Sequence, residues 1–182
     1  LAQHLADKGN FSHFMAKEIH EQPQVIRQTL ENYLNADKSG LQHPPLPFNW
    51  QDISRITIVA CGTAYHAGIV GKYTIESLCS VPVSVEVSSE FRYRDLLVNE
   101  QTLVIAVSQS GETADTLAGV REARKRGASV LSICNVLGST LTRESDGVIY
   151  THAGPEIGVA STKAYTAQLA AFYLFAAYLA KI

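Results

Sequence analysis

Cysteine is scarce in this sequence: Cys61, Cys79 and Cys134 are the only three in 182 residues, odd in number, widely spaced and set among apolar neighbours. That pattern argues against a disulfide framework and a zinc cluster, and a reducing cytoplasm is the simplest setting. Net charge is equally lacking. With 15 basic and 17 acidic residues the chain carries only -2, which gives no field to attract nucleic acid or anionic lipid. No apolar run reaches the roughly 20 residues that a membrane span requires. The most apolar stretch, "TAQLAAFYLFAAYLAKI", reads as a buried or interface helix. The N-terminal "LAQHLADKGNFSH" has neither the basic flank nor the apolar core of a signal peptide. It also lacks an initiator Met, as expected of a fragment or a processed product. Two nucleotide-binding signatures are missing as well. "CGTAYHAG" lacks the second glycine of G-x-G-x-x-G, Tyr65 and His66 crowd the place of a pyrophosphate, and no G-x-x-x-x-G-K-[ST] run occurs.

What the sequence does hold is periodicity. At 46% hydrophobic it can bury one good core, and one domain is expected. Phe14, Ile19, Val25, Ile26, Leu30, Tyr33 and Leu34 are spaced as on helices, and Pro23 suits the first turn of a second helix. Residues 1–50 therefore read as a helical arm followed by an extended connector, where Pro44, Pro45 and Pro47 prevent helix. From residue 51 to 182, β-branched runs alternate with helical patterns. The strands are "RITIVA", "PVSVEV", "TLVIAV", "SVLSIC" and "GVIYT", and helices fit at about 63–80, 88–96, 112–126, 139–145 and 160–181. Continuous apolar strands with helical crossovers imply an α/β three-layer sandwich: a five-stranded parallel sheet in a flavodoxin-like 2-1-3-4-5 order.

Such a sheet binds ligands beyond the carboxyl ends of its strands, where crossovers diverge; here that is between the first and third strands. These are followed by "CGTAYHAG" and "SQSGETADT", each a glycine with hydroxyl side chains at the start of a helix. Close backbone approach, outward amides and the helix dipole favour an anion. Thr63, Ser108, Gln109, Ser110 and Thr113 add donors, so the expected ligand is a phosphate ester of a small polyol. The plainer reading is that Ser110 and Thr63 cap their helices. Arg121, Arg124, Lys125 and Arg126 lie at the far end of their helix and are assigned to solvation. A third loop, "HAGPEIGVASTKAYT", is broken by Gly154, Pro155 and Gly158, with Ser161 and Thr162 placed to cap the last helix. Lys163 falls in that helix's first turn and needs an anionic partner, either Glu156 or a ligand. Cys61 reads as core filler rather than a nucleophile, and His66 and His152 are candidate bases on residue type alone.

"CGTA", "EFRYR", "SQSGETADT", "ICNVLGSTLTRESD" and "EIGVASTKAYT" resemble, in order, the first sugar isomerase domain of the glucosamine-6-phosphate synthase family, the glutamine:fructose-6-phosphate aminotransferases. "FSHFMAKEIHEQP" resembles the helical start of that family's isomerase half. The resemblance implies that Thr63, Ser108, Gln109, Ser110 and Thr113 hold the sugar phosphate and that Val159 and Ser161 contact the sugar. Cys61, Gly62, Gly111, Glu156 and Lys163 are supporting candidates. Where the family often has Ser after "CGT", this chain has Ala64, one phosphate hydrogen bond fewer. The implied ligand is fructose 6-phosphate or glucosamine 6-phosphate, with no metal or organic cofactor, no nucleic-acid or membrane partner, and a homodimer as the complete enzyme. The family's glutaminase domain, with its Cys nucleophile, and its second sugar isomerase domain, which supplies the His, Lys and Glu of the sugar chemistry, have no counterpart here, so this chain is expected to be inactive alone. The rival expectations are a free-standing aldose–ketose isomerase, with Glu156, His66 or His152 as base, and a non-catalytic sensor.

Overall fold

A computed structural model of the chain describes residues 7–35, 40–41 and 48–181. The connector prolines Pro44, Pro45 and Pro47 lie outside the described residues. Among the described residues, β1 (Arg55–Ala60), β2 (Val83–Val87), β3 (Thr102–Ser108), β4 (Ser129–Cys134) and β5 (Gly147–Tyr150) form one parallel sheet in the order β2-β1-β3-β4-β5. That is the order expected from the crossovers. β3 is buried at each of its positions, because helices cover both faces. Alternation divides the core: Ile56, Ile58, Leu103, Ile105 and Ile133 point to one side, and Val59, Val104, Ala106 and Val130 to the other.

The first side is covered by α2 (Gly62–Cys79) and α6 (Lys163–Leu179), the second by α3 (Ser88–Phe91), α4 (Ala114–Lys125) and α5 (Thr140–Glu144). α2 and α6 meet closely at Gly71, where a Cβ would stand 2.4 Å from Phe172. Phe172 and Phe175 are fully buried there, and truncating either to Ala costs about 3–5 kcal/mol. No described helix is long and apolar enough to cross a membrane.

The arm differs from expectation. α1 (Phe14–Glu31) is one helix that runs through Pro23. Proline removes the amide that would bond the Ile19 carbonyl, and the Gln22 side chain supplies the donor instead, at 3.0 Å. Val25 of α1 packs with Ala153 and with Ala167 of α6. Below it, the Tyr33 hydroxyl accepts from the Tyr150 amide at 2.6 Å and donates to the Tyr150 carbonyl at 3.2 Å, covering the free edge of β5. Burial raises the Tyr33 hydroxyl pKa above its ordinary value.

α3 is a single turn rather than the expected span of 88–96. Arg92 is drawn to Asp115 at 2.6 Å and Arg94 to Glu86 at 2.7 Å, while Leu96 sinks into the second-side core. Those anchors lie on different elements, and a straight helix cannot serve all of them.

Candidate functional site

The register places the loops side by side. Ala60 pairs with Val107, so the chain leaves β1 and β3 at the same height, passing to α2 on one side of the sheet and α4 on the other. Between them opens a cleft of about 270 Å³. Thr63, Ser108, Gln109, Ser110, Thr113, Val159 and Ser161 all line it. Of the supporting candidates Cys61 and Glu156 line it too, whereas Gly62, Gly111 and Lys163 do not.

The loop after β3 is held in shape from within. The Ser108 hydroxyl, buried, accepts from the Gly111 amide at 3.0 Å and lies 3.2 Å from the Thr113 hydroxyl. Ser110 accepts from the Glu112 amide at 3.2 Å. Gly111 has φ +69°, and a Cβ there would meet Ser139 Oγ at 2.1 Å. A side chain at this position is excluded twice over, by backbone and by space. The Glu112 carboxylate accepts from the Thr140 amide at 2.7 Å, tying the loop to the start of α5. That bond, with the nearby Arg143 charge, lowers the Glu112 pKa from its ordinary value.

The capping alternative does not hold for Ser110 and Thr63. The residues at the N-caps of α2 and α4 are Cys61 and Thr113, and neither makes a side-chain cap bond. α4 begins at Ala114, later than the expected 112, because Ser108 to Thr113 are taken up by the wound turn. Gly62, at φ +58°, is exposed at the start of α2. Both helices thus face the cleft with first-turn amides that no side-chain cap covers, the arrangement that suits an anion.

α6 is built the other way. Its N-cap Thr162 has no side-chain cap bond, and Ser161 is not the cap, correcting the expectation for both. Glu156 does the work: its carboxylate accepts from the Thr162 amide at 2.8 Å and the Ala164 amide at 3.1 Å. Glu156 is therefore not the partner of Lys163, the second correction in this loop. Lys163 donates to Glu21 of α1 at 2.7 Å, with the Lys163 side chain only 7% exposed. Its ammonium points to the arm, away from the cleft residues.

His66 is exposed and does not line the cleft. His152, at φ +52°, sits half-buried between the rings of Tyr33 and Tyr150, and burial lowers its pKa. Cys61 is half-buried at the cleft wall rather than filling the core, because β1 ends one residue before it. The basic run of α4 is paired rather than simply solvated: Arg121 grips Glu144 at 2.6 and 2.8 Å, and Arg124 holds Asp146 at 2.6 Å.

Two residues escaped the sequence reading. Glu18, on α1 and 2% exposed, accepts from the amides of Ile157 at 2.6 Å and Gly158 at 3.1 Å, fixing the segment that borders the cleft. Gln168 of α6 is 4% exposed and lines the cleft. A lone amide in the apolar run "TAQLAAFYLFAAYLA" was the available signal for it.

The chain belongs to the SIS domain family, whose model matches residues 51–178. Its similarity is more particular than the family. It is 54% identical over 178 residues to glutamine–fructose-6-phosphate aminotransferase (isomerizing) of Clostridium tetani, covering 97% of this chain and 29% of that protein. The enzyme of the same name from Caldanaerobacter subterraneus subsp. tengcongensis is 56% identical over 174 residues, covering 94% of this chain and 28% of the relative. This chain thus spans under a third of the length of the curated relatives it matches. Among solved structures, the C-terminal domain of glucosamine-fructose-6-phosphate aminotransferase from Francisella tularensis superposes with a TM-score of 0.92 at 46% identity, covering 97% of this chain and 50% of that one.

Proposed function

We propose that this chain is the phosphosugar-anchoring part of an isomerizing glutamine:fructose-6-phosphate aminotransferase, with fructose 6-phosphate or glucosamine 6-phosphate as its ligand. The observation that carries the reading is the convergence of Thr63, Ser108, Gln109, Ser110 and Thr113 on one cleft with Val159 and Ser161. The phosphate sits against the first turns of α2 and α4, where amides, hydroxyls and both helix dipoles favour an anion. Ala64 contributes no hydroxyl, so the amides carry more of that contact. The sugar lies toward the 156–161 segment. In this reading residues 1–50 are the arm and connector and 51–182 the domain. The groups that open the ring and move protons belong to parts of a longer, cytoplasmic and homodimeric protein. Orientation of the substrate against those groups is this chain's contribution to rate.

A free-standing isomerase would need its base in the cleft. His66 and His152 do not line it, and Glu156, which does, has its Oε1 held by the Thr162 and Ala164 amides at the start of α6. The test is calorimetric titration of the chain with fructose 6-phosphate, fructose and inorganic phosphate, together with an ammonia-dependent synthase assay. Weak binding of the phosphorylated ligands, none of fructose, and no product are expected. Binding of fructose as tight as of its phosphate ester, or appreciable product from this chain alone, refutes the reading.

A further inference from the structure

Among the described residues, two buried side-chain oxygens have no hydrogen-bond partner: Ser132 Oγ inside β4 and Gln168 Oε1. Only Gln168 borders the cleft. An acceptor left unmet in a buried place costs its full desolvation, and Leu or Met would fill the same volume in α6 without that cost. The oxygen needs a donor. The phosphoryl group of a phosphate monoester is mostly dianionic at neutral pH and offers almost entirely acceptors, so it is not what this oxygen meets; a sugar hydroxyl, which donates, is. Gln168 shares the cleft with Ser161 and Val159 and approaches from α6, whereas the phosphate donors come from the loop after β3 and from Thr63.

We infer that Gln168 Oε1 accepts a hydrogen bond from a hydroxyl of the bound sugar, making it a specificity-determining residue that separates phosphosugars from bare phosphate. This rests on the phosphosugar reading above. A buried polar group left unpaired by the wrong ligand discriminates more strongly than an apolar contact does.

The experiment compares the full chain with Gln168→Met, titrating each with fructose 6-phosphate and with inorganic phosphate and measuring the melting temperature of the free proteins. The variant should bind fructose 6-phosphate roughly three- to tenfold more weakly, the loss of one hydrogen bond. It should bind phosphate unchanged and melt no lower than the wild type, since an unmet acceptor has been removed. Unchanged affinity for fructose 6-phosphate, as when a buried water is the partner, overturns the inference. So does equal weakening toward both probes, or a lowered melting temperature. As a readout independent of the variant's folding, the side-chain amide resonances of Gln168 in the wild type should move with fructose 6-phosphate and stay in place with phosphate. Failure of the wild type to bind fructose 6-phosphate sinks the phosphosugar reading itself, and this one with it.

Discussion

The Glu18 carboxylate receives the Ile157 amide at 2.6 Å, a bond between residues 139 apart in the chain. The Gly158 amide joins it, and a Cβ on Gly158 would stand 2.6 Å from Glu18 Oε2. The arm is thus the clamp for the segment that brings Val159 to the cleft, and that segment's backbone donors have their acceptor on α1. Val159 itself is fully exposed, so the segment draws little order from burying its own side chains.

Replacing Glu18 by Ala leaves two amides without their acceptor. The expected loss is about 1–3 kcal/mol of stability. Amide hydrogen exchange at Ile157 and Gly158 should accelerate well beyond that of the β3 core, which reports a local release rather than global unfolding. Unaltered exchange at both amides would show that the segment holds itself.

Gly111→Ala should be among the most damaging single changes in the cleft. The new methyl meets Ser139 Oγ at 2.1 Å and Cys134 Sγ at 2.9 Å, on a backbone with φ +69°. Overpacking and the left-handed conformation together cost about 2–4 kcal/mol. Urea unfolding should show this loss, and phosphate affinity should fall with it because Ser108 no longer holds the turn. An Ala variant as stable as the wild type would mean that α5 yields at Ser139.

How far these features could be read in advance follows from where their partners lie. The sheet was legible because β1, β3 and β4 are short, mostly apolar runs rich in β-branched residues, and their crossovers settle the order. The loop hydroxyls were legible because their spacing after a strand is local. The start of α6 and the continuity of α1 were not. α6 begins at Lys163 because a carboxylate seven residues earlier caps it, and α1 continues past Pro23 because a neighbouring side chain supplies the lost donor. The partner of Lys163 was out of reach for the same reason: Glu21 is 142 residues away. Nothing local marks such pairs.

That pair makes an asymmetric prediction. The Lys163 side chain is 7% exposed and Glu21 29%, with Lys17 a further 3.7 Å from Glu21. Glu21→Ala therefore strands one buried ammonium beside a second cation, an expected loss of about 2–4 kcal/mol. Lys163→Met should cost less, because Glu21 keeps Lys17 and water. Guanidinium unfolding of both variants measures the difference, and a costlier Lys163→Met would contradict it.

The Glu112 carboxylate gives a pH dependence. Its pKa is lowered from 4.5, first by the Thr140 amide and then by Arg143. A carboxyl group whose folded pKa lies below its unfolded one stabilises the fold above the unfolded value and loses that contribution as pH falls through the folded value. Glu112→Gln keeps an acceptor for the Thr140 amide but removes the charge. The wild type should therefore be the more stable of the two at neutral pH. The gap should close as pH drops below 4.5 and vanish beneath the folded pKa of Glu112. Glu144, whose pKa is likewise lowered by Arg121, titrates in both proteins and cancels from the difference. Unfolding midpoints taken from neutral pH to about pH 3 test this. A gap that stays constant across the range would place the stabilisation in the shape of the side chain and not in its charge, and the tie between the loop after β3 and α5 would then be insensitive to acid.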